Sequence, residues 1–335
     1  MTRIAILGAT GYTALELIKL LLRHPEAEIA ALTSRQEGNP PVAMIHPSLH
    51  GRLGLCLENL TPQEVVRRAE FVFSCLPHGA SASVIPELLD AGCRVVDFSA
   101  DYRLGDPEVF LQWYGEKHAD PKRLGTVVYG LPELFREKIV GANLVANPGC
   151  YPTSAILALA PLLKAGLIEP EGIVVDSKSG VSGAGRTLKL TTHYPECNES
   201  VSAYNVGRHR HTPEIDLILS TAAGTKVEVV FTPHLIPMDR GILTTTYSRP
   251  VGEVTEEKLL QALRDFYAEE PFVRVIDHLP GTKDSLGTNC CDVTARLVRG
   301  RAITISCLDN LIKGASGAAV QNFNLMCGYA EATSL

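Results

Sequence analysis

The chain has 335 residues, 45% of them hydrophobic, with 31 Lys and Arg against 37 Asp and Glu. That length accommodates two domains, each with its own core, and the composition fits a soluble globular protein while excluding a disordered one. A formal net charge of -6 gives nucleic acid or an anionic membrane no electrostatic hold, and no apolar run is long enough to span a bilayer. The opening MTRIAILGATGY reaches glycine and threonine too soon for a signal-peptide core. Nine cysteines, an odd number without a C-x-x-C pair, read as reduced thiols of a cytoplasmic protein rather than as a zinc site.

The first half alternates strand and helix. Ile4 to Leu7 is a short apolar run, and the following helix sets Leu15, Ile18 and Leu22 on one face. Further strands are expected at Glu28–Thr33, Phe71–Leu76, Arg94–Phe98 and Leu144–Ala146, with a helical stretch at Ala80–Ala91. Buried strands alternating with helices imply an α/β, Rossmann-type, doubly wound parallel sheet. Beyond residue 148 the texture changes. Strands at Ile173–Ser177, Lys226–Thr232, Leu243–Ser248, Val293–Leu297 and Ala302–Cys307, with few helices between the later ones, predict a second α+β domain with a mixed or antiparallel sheet. Thr255 reads as the N-cap of a helix running to Glu270, with Lys258 precluding a capping box; KGASGAAVQNFNLM reads as a final small-residue helix.

Three stretches carry chemistry. GATGYTA follows the first strand and opens the first helix, the context in which a glycine pattern makes a dinucleotide turn; Gly8, Thr10, Gly11, Tyr12 and Thr13 form it. The second strand ends in Ser34-Arg35 where an NAD-preferring fold carries an acid, so NADP is the expected cofactor. In NPGCYPT, Asn147-Pro148-Gly149 makes a turn and Pro152 suits the first helical position, so Cys150 meets the backbone N–H groups and positive dipole of a helix mouth. That setting prepares a nucleophile, whereas Cys75, Cys93 and Cys307 read as buried small hydrophobes. In GRHRHTPEI, His209 or His211 can act as acid/base, with Arg208 or Arg210 holding an anionic substrate. SKSGVSGAGR, containing Ser182 and Gly183, can present backbone N–H groups to phosphate; SADYRL, containing Arg103, lies where parallel sheets place ligands.

GATGYTALEL, SADYRL, NPGCYPT, SGVSGAGR, HRHTPEI and NLIKGASGAAVQN resemble the N-acetyl-γ-glutamyl-phosphate reductases, over essentially the whole chain. The aspartate-semialdehyde dehydrogenases share the architecture with more distant flanks. One departure is Ala14, where the family often carries glycine. The resemblance implies NADPH-dependent reduction of N-acetyl-γ-glutamyl phosphate in arginine biosynthesis through a Cys150 thioester. It implies His211 as acid/base, Arg103 at the phosphate, Arg208 or His209 at the carboxylate, and Asn310, Lys313 and Gly314 near the nicotinamide. It also implies a cofactor domain of residues 1–148 completed by 310–335, a catalytic domain of 149–309, and a homodimer or homotetramer. Two alternatives are the N-acetyl-aminoadipyl-phosphate reductase of lysine biosynthesis, one methylene longer in substrate, and a non-catalytic NADP-binding redox sensor.

Overall fold

A computed structural model describes residues 1–335, which divide into two compact units: Met1–Pro148 with Ala315–Leu335, and Gly149–Gly314. Asn310, Lys313 and Gly314 thus belong to the second unit, and the return to the first occurs at Ala315.

The first unit is built on seven strands: β1 (Thr2–Leu7), β2 (Ala27–Thr33), β3 (Leu57–Glu58), β4 (Phe71–Ser74), β5 (Arg94–Asp97), β6 (Val128–Tyr129) and β7 (Leu144–Ala146). They lie in the order β3-β2-β1-β4-β5-β7-β6, all parallel, with β1 at the centre of the reversal in strand order. The central strands are apolar and buried along their length because helices cover both faces. On one face the helices Tyr12–Leu21 and Gly317–Cys327 pack with Phe71 and Phe73, and the Phe323 ring meets Phe71 edge-on at 4.7 Å. The C-terminal helix is therefore part of this core. Of the expected face of the first helix, Ile18 is fully buried while Leu15 and Leu22 border the core.

The second unit carries β8 (Val174–Gly180), β9 (Ser202–Ala203), β10 (Val230–Ile236), β11 (Ile242–Ser248), β12 (Val273–Val275), β13 (Cys291–Val298) and β14 (Arg301–Leu308). The order is β12-β13-β14-β11-β8-β10-β9, a mixed sheet in which β8–β10 and β12–β13 are parallel and the other pairs antiparallel. Thr255 accepts from Lys258 N and caps the helix Glu256–Phe266, which ends four residues before the expected Glu270.

Two expectations are corrected. The strand read at Lys226–Thr232 lies at Val230–Ile236, because side chains of the helix Thr212–Ala223 take the earlier amides: Ser220 accepts from Val227 N and Asp216 from Val229 N. Pro233 is tolerated there, its carbonyl accepting from Tyr204 beside the two-residue edge strand β9. The final helix also does not run unbroken from Lys313; Ile312–Ser316 forms a π-turn, and the α-helix begins at Gly317.

Candidate active site

In the first unit, the glycine turn forms because Gly8 has a φ of +74° and its Cα lies so close to Cys75 that a Cβ would sit 2.7 Å from the Cys75 carbonyl oxygen. Only glycine relieves both demands. Ala9 N–H donates to Thr33 O across β1 and β2, and His46 Nε2 bonds the Ala9 carbonyl from beneath. Gly11 then caps the helix Tyr12–Leu21, whose first turn carries neither an acid nor a side-chain cap. Its N–H groups and dipole favour an anion.

Beside this turn lies a cavity of about 320 Å³ lined by Gly8, Thr10, Ser34 and Arg35 together with apolar side chains such as Leu60 and Leu76. No Asp or Glu lines it. Hydroxyls and a guanidinium over an apolar floor fit a nucleotide bearing an extra phosphate, and an acid that would accept from a ribose hydroxyl is missing. Arg35 is exposed at the rim, and Ser34 Oγ accepts from Gln36 N.

The SADYRL loop is held from within the same unit. Asp101 accepts from Gly79 N and Ala82 N, which fixes the loop at Pro77–Ala80 on the cavity wall. Asp97 accepts from Ser99, and burial pushes its carboxyl up to about 6. Arg103 is buried; its Nε donates to Asn147 O and its Nη2 to Phe98 O. Asn147 in turn donates to Ala315 O and accepts from Asn322 Nδ2, so the residue ahead of Pro148 is locked in the core.

In the second unit, Gly149 caps the helix Cys150–Lys164, and Cys150 is its first residue. Pro152 therefore occupies the third helical position rather than the expected first, still within the turn where a missing N–H costs nothing. The helix is buried on all sides from Tyr151 to Leu163 and has no acid in its first turn. Gly149 N–H donates to the buried Glu214 Oε1 at 2.8 Å, and a Cβ on Gly314 would lie only 2.9 Å from Cys150 Cβ. None of the nine cysteines is in a disulfide. Cys93 and Cys307 are buried as expected, whereas Cys75 is half-buried; burial pushes all three thiols up, that of Cys307 to about 12. Cys150 is half-exposed at its helix mouth.

His211 caps the helix Thr212–Ala223, one residue earlier than Pro213 suggested, and Glu214 lies in that helix's first turn. Tyr151 joins the two helix starts, with ring centroids 6.0 Å from His211 and 5.6 Å from His209. His209 sits among Tyr151, Tyr204 and Phe231, and its Nδ1 accepts from His211 N–H. That apolar setting, with Arg210 adjacent, lowers its pKa to about 4. At neutral pH His209 thus offers a ring Nε2–H donor, not a cation. Arg208 and Arg210 are exposed.

The Gly–Ser loop differs from expectation. Gly180, Val181 and Ser182 N–H groups donate to the Gly241, Met238 and Asp239 carbonyls, so they are not presented to phosphate. Asn310 donates to Ser182 Oγ and accepts from Gly241 N, which joins Ser182 and Asn310 in one knot. Gly183 is exposed, and Lys313 is fully buried with its ammonium 5.6 Å from the Phe272 ring centre. Cys150, His209, His211 and Gly314 thus come together in the second unit, joined by Tyr151 and Glu214. The motifs contain these last two, but only their burial and hydrogen bonding mark them out, as is also true of His46 and Asp101 in the first unit.

A parallel nucleotide-type sheet and a separate unit with a helix-mouth cysteine are the two parts of the semialdehyde-dehydrogenase class. Residues 3–142 match the family model for the semialdehyde dehydrogenase NAD binding domain, and residues 150–310 that for the semialdehyde dehydrogenase dimerisation domain. Solved structures of the same fold include aspartate semialdehyde dehydrogenase II from Vibrio cholerae, with a TM-score of 0.74 at 17% identity over 97% of this chain and 98% of that one. Aspartate semialdehyde dehydrogenase with NADP from Candida albicans has a TM-score of 0.70 at 17% identity, over 97% and 98%. Among curated relatives, N-acetyl-gamma-glutamyl-phosphate reductase of Rhodopirellula baltica is 54% identical over 99% of this chain and 98% of its own. That of Geotalea daltonii is 52% identical over 99% and 97%. The chain belongs to the N-acetyl-γ-glutamyl-phosphate reductase family and is an oxidoreductase. No helix is long and apolar enough to cross a membrane.

Proposed function

We propose that the chain reduces N-acetyl-γ-glutamyl phosphate to N-acetylglutamate 5-semialdehyde and phosphate with NADPH, through a thioester on Cys150, in the arginine pathway of the cytoplasm. The observation that carries this reading is Cys150 at the first position of a buried helix whose first turn lacks any acid, beside the His209–His211 segment. Backbone N–H groups and the helix dipole favour the thiolate there.

His211 takes the thiol proton, and the thiolate adds to the acyl carbon. The tetrahedral adduct collapses with cleavage of the carbon–oxygen bond to phosphate, leaving the thioester. Arg103 holds the phosphate side, Arg208 supplies charge to the substrate carboxylate, and His209 donates its ring N–H to it. Gly8, Thr10, Gly11, Tyr12 and Thr13 would hold NADPH, with Ser34 and Arg35 serving its 2′-phosphate, and the cofactor when bound would supply the hydride that reduces the thioester. The resulting alkoxide expels the thiolate and gives the aldehyde, and His211 returns its proton. Ser182, Gly183, Asn310, Lys313 and Gly314 serve the nicotinamide and acyl end.

The second unit builds a homodimer or homotetramer, in keeping with the dimerisation-domain match. The experiment is phosphate-dependent reduction of NADP⁺ with N-acetylglutamate semialdehyde and, separately, with its homologue one methylene longer. A methylene is worth about 1–3 kcal/mol in a fitted pocket, so the shorter aldehyde should be preferred roughly 10–200-fold. Preference for the longer one, or no phosphate dependence, would overturn the assignment.

A further inference from the structure

Between the Ser182–Asn310 knot and the Arg208–His211 segment, the chain runs along the surface of the second unit. From Gly185 to Ser200 only Thr192 and Cys197 are even half-buried. The stretch is apolar as well as exposed: Leu188 is 97% accessible, Leu190 75%, Tyr194 74%, Val201 65% and Val206 56%. It is also structured, with a 3₁₀ turn at Leu190–Thr192 and a helical turn at Tyr194–Cys197, neither of which buries a side chain. Helical turns this short gain their stability from packing, and these two meet each other, with Cys197 Sγ 3.8 Å from Thr192 O, while their large apolar side chains stay exposed. Five large apolar side chains within nineteen residues form a patch of the kind that marks a protein contact (Leu188 to Val206).

The charges indicate the occupant. Exposed Lys189 stands toward one end of the stretch and exposed Glu196 and Glu199 toward the other. An apolar strip with opposite charges at its two ends is self-complementary under a two-fold axis, the geometry of an isologous interface. The residues also fall inside the segment matched as a dimerisation domain.

The returning end reaches the chemistry. Ser202–Ala203 pairs with β10, Tyr204 N–H donates to Pro233 O, and Tyr204 and Tyr151 share a hydroxyl hydrogen bond at 3.2 Å. The Tyr204 ring packs 5.3 Å from His209. Tyr204 thus links the end of the stretch to His209 and Tyr151.

We propose that residues 186–206 are an arm that docks on a second copy of this chain, and that docking holds the Arg208–His211 segment in position for substrate. The coupling half rests on the reading of that segment as substrate-binding. The test is Leu188→Asp with Tyr194→Asp in the full-length protein with NADP present, followed by sedimentation velocity, thermal melting and steady-state kinetics. Both side chains are exposed in the single chain, so the variant should keep a folded melting profile. The expected result is a lower mass, a KM for the acyl phosphate raised at least fivefold, and unchanged iodoacetamide labelling of Cys150. The wild type, diluted until it dissociates, should show the same rise in KM. An unchanged mass would overturn the proposal and assign the dimer contact elsewhere, such as the half-exposed sheet face of Leu243, Thr245 and Ile303. A lower mass with an unaltered KM would overturn the coupling. A wild type without acyl-phosphate reductase activity would instead defeat the functional reading and leave the mass result standing.

Discussion

Gly314→Ala adds one methyl group at the most crowded point beside the nucleophile. The new carbon would lie 2.9 Å from Cys150 Cβ, 3.2 Å from Leu308 Cδ1 and 3.3 Å from Asp309 O. Carbon pairs rest at about 3.5–4.0 Å, so Cys150 and residue 314 must separate by roughly 0.6–1 Å. The 314 side yields poorly. The buried Asp309 accepts from Gly287 N, Leu311 N and Arg240 Nη2, and Gly314 N–H donates to Asp309 O. Cys150 opens a helix buried all round, so the movement falls on its side chain and first turn. A displacement near 1 Å at a reacting group costs on the order of 10²-fold in rate, and overpacking costs about 1–3 kcal/mol in stability. Steady-state kinetics with NADPH should therefore show kcat lower by about 10²-fold and KM for NADPH within a few-fold of wild type. Iodoacetamide labelling without cofactor should change as well. A normal kcat with only the NADPH KM raised would mean that Gly314 acts through the cofactor alone and does not also seat the thiol.

Other outcomes follow from the same geometry. Arg35→Ala should raise KM for NADPH by about tenfold, the low end for a charge-assisted bond because the group is exposed, and leave NADH use unchanged; equal loss of both would make Arg35 structural. His211→Asn should lower kcat roughly 10²–10⁴-fold with little change in KM, whereas His209→Asn should mainly raise KM for the acyl phosphate; the opposite split would exchange their roles. Asp97, pushed up to about 6 by burial, binds its proton more tightly in the folded protein than in the unfolded chain, whose ordinary value is 3.8. Its contribution to stability is present below pH 3.8 and disappears as pH rises through about 6, a loss of up to about 3 kcal/mol. Urea unfolding between pH 4 and 7 should therefore show a shallower decline for Asp97→Asn than for the wild type, and parallel profiles would remove Asp97 as the source.

Local demands were legible in the sequence. Gly8 needs a positive φ and a close approach to Cys75, Thr255 caps its helix as its position implied, and the NPGC turn does open a helix at Cys150. What escaped was decided by partners far along the chain. Val227 and Val229 looked like strand residues until Ser220 and Asp216 took their amides, and the strand runs on to Ile236. The Gly180–Ser182 amides looked available until residues 238–241 claimed them. GRHRHTPEI offered His209 for acid/base work or for the carboxylate, but not the burial among the rings of Tyr151, Tyr204 and Phe231 that lowers its pKa. The Gly8 loop rests on His46, thirty-seven residues from the Ala9 carbonyl it bonds, a support that no local pattern encodes.

The thioester on Cys150 is tested most directly by intact-protein mass spectrometry after mixing with N-acetyl-γ-glutamyl phosphate in the absence of nucleotide. The expected result is a mass gain of one N-acetylglutamyl group on the peptide containing Cys150, release of one equivalent of phosphate, and neither event in Cys150→Ser. Acylation of another residue, or reductase activity retained by Cys150→Ser, would contradict it.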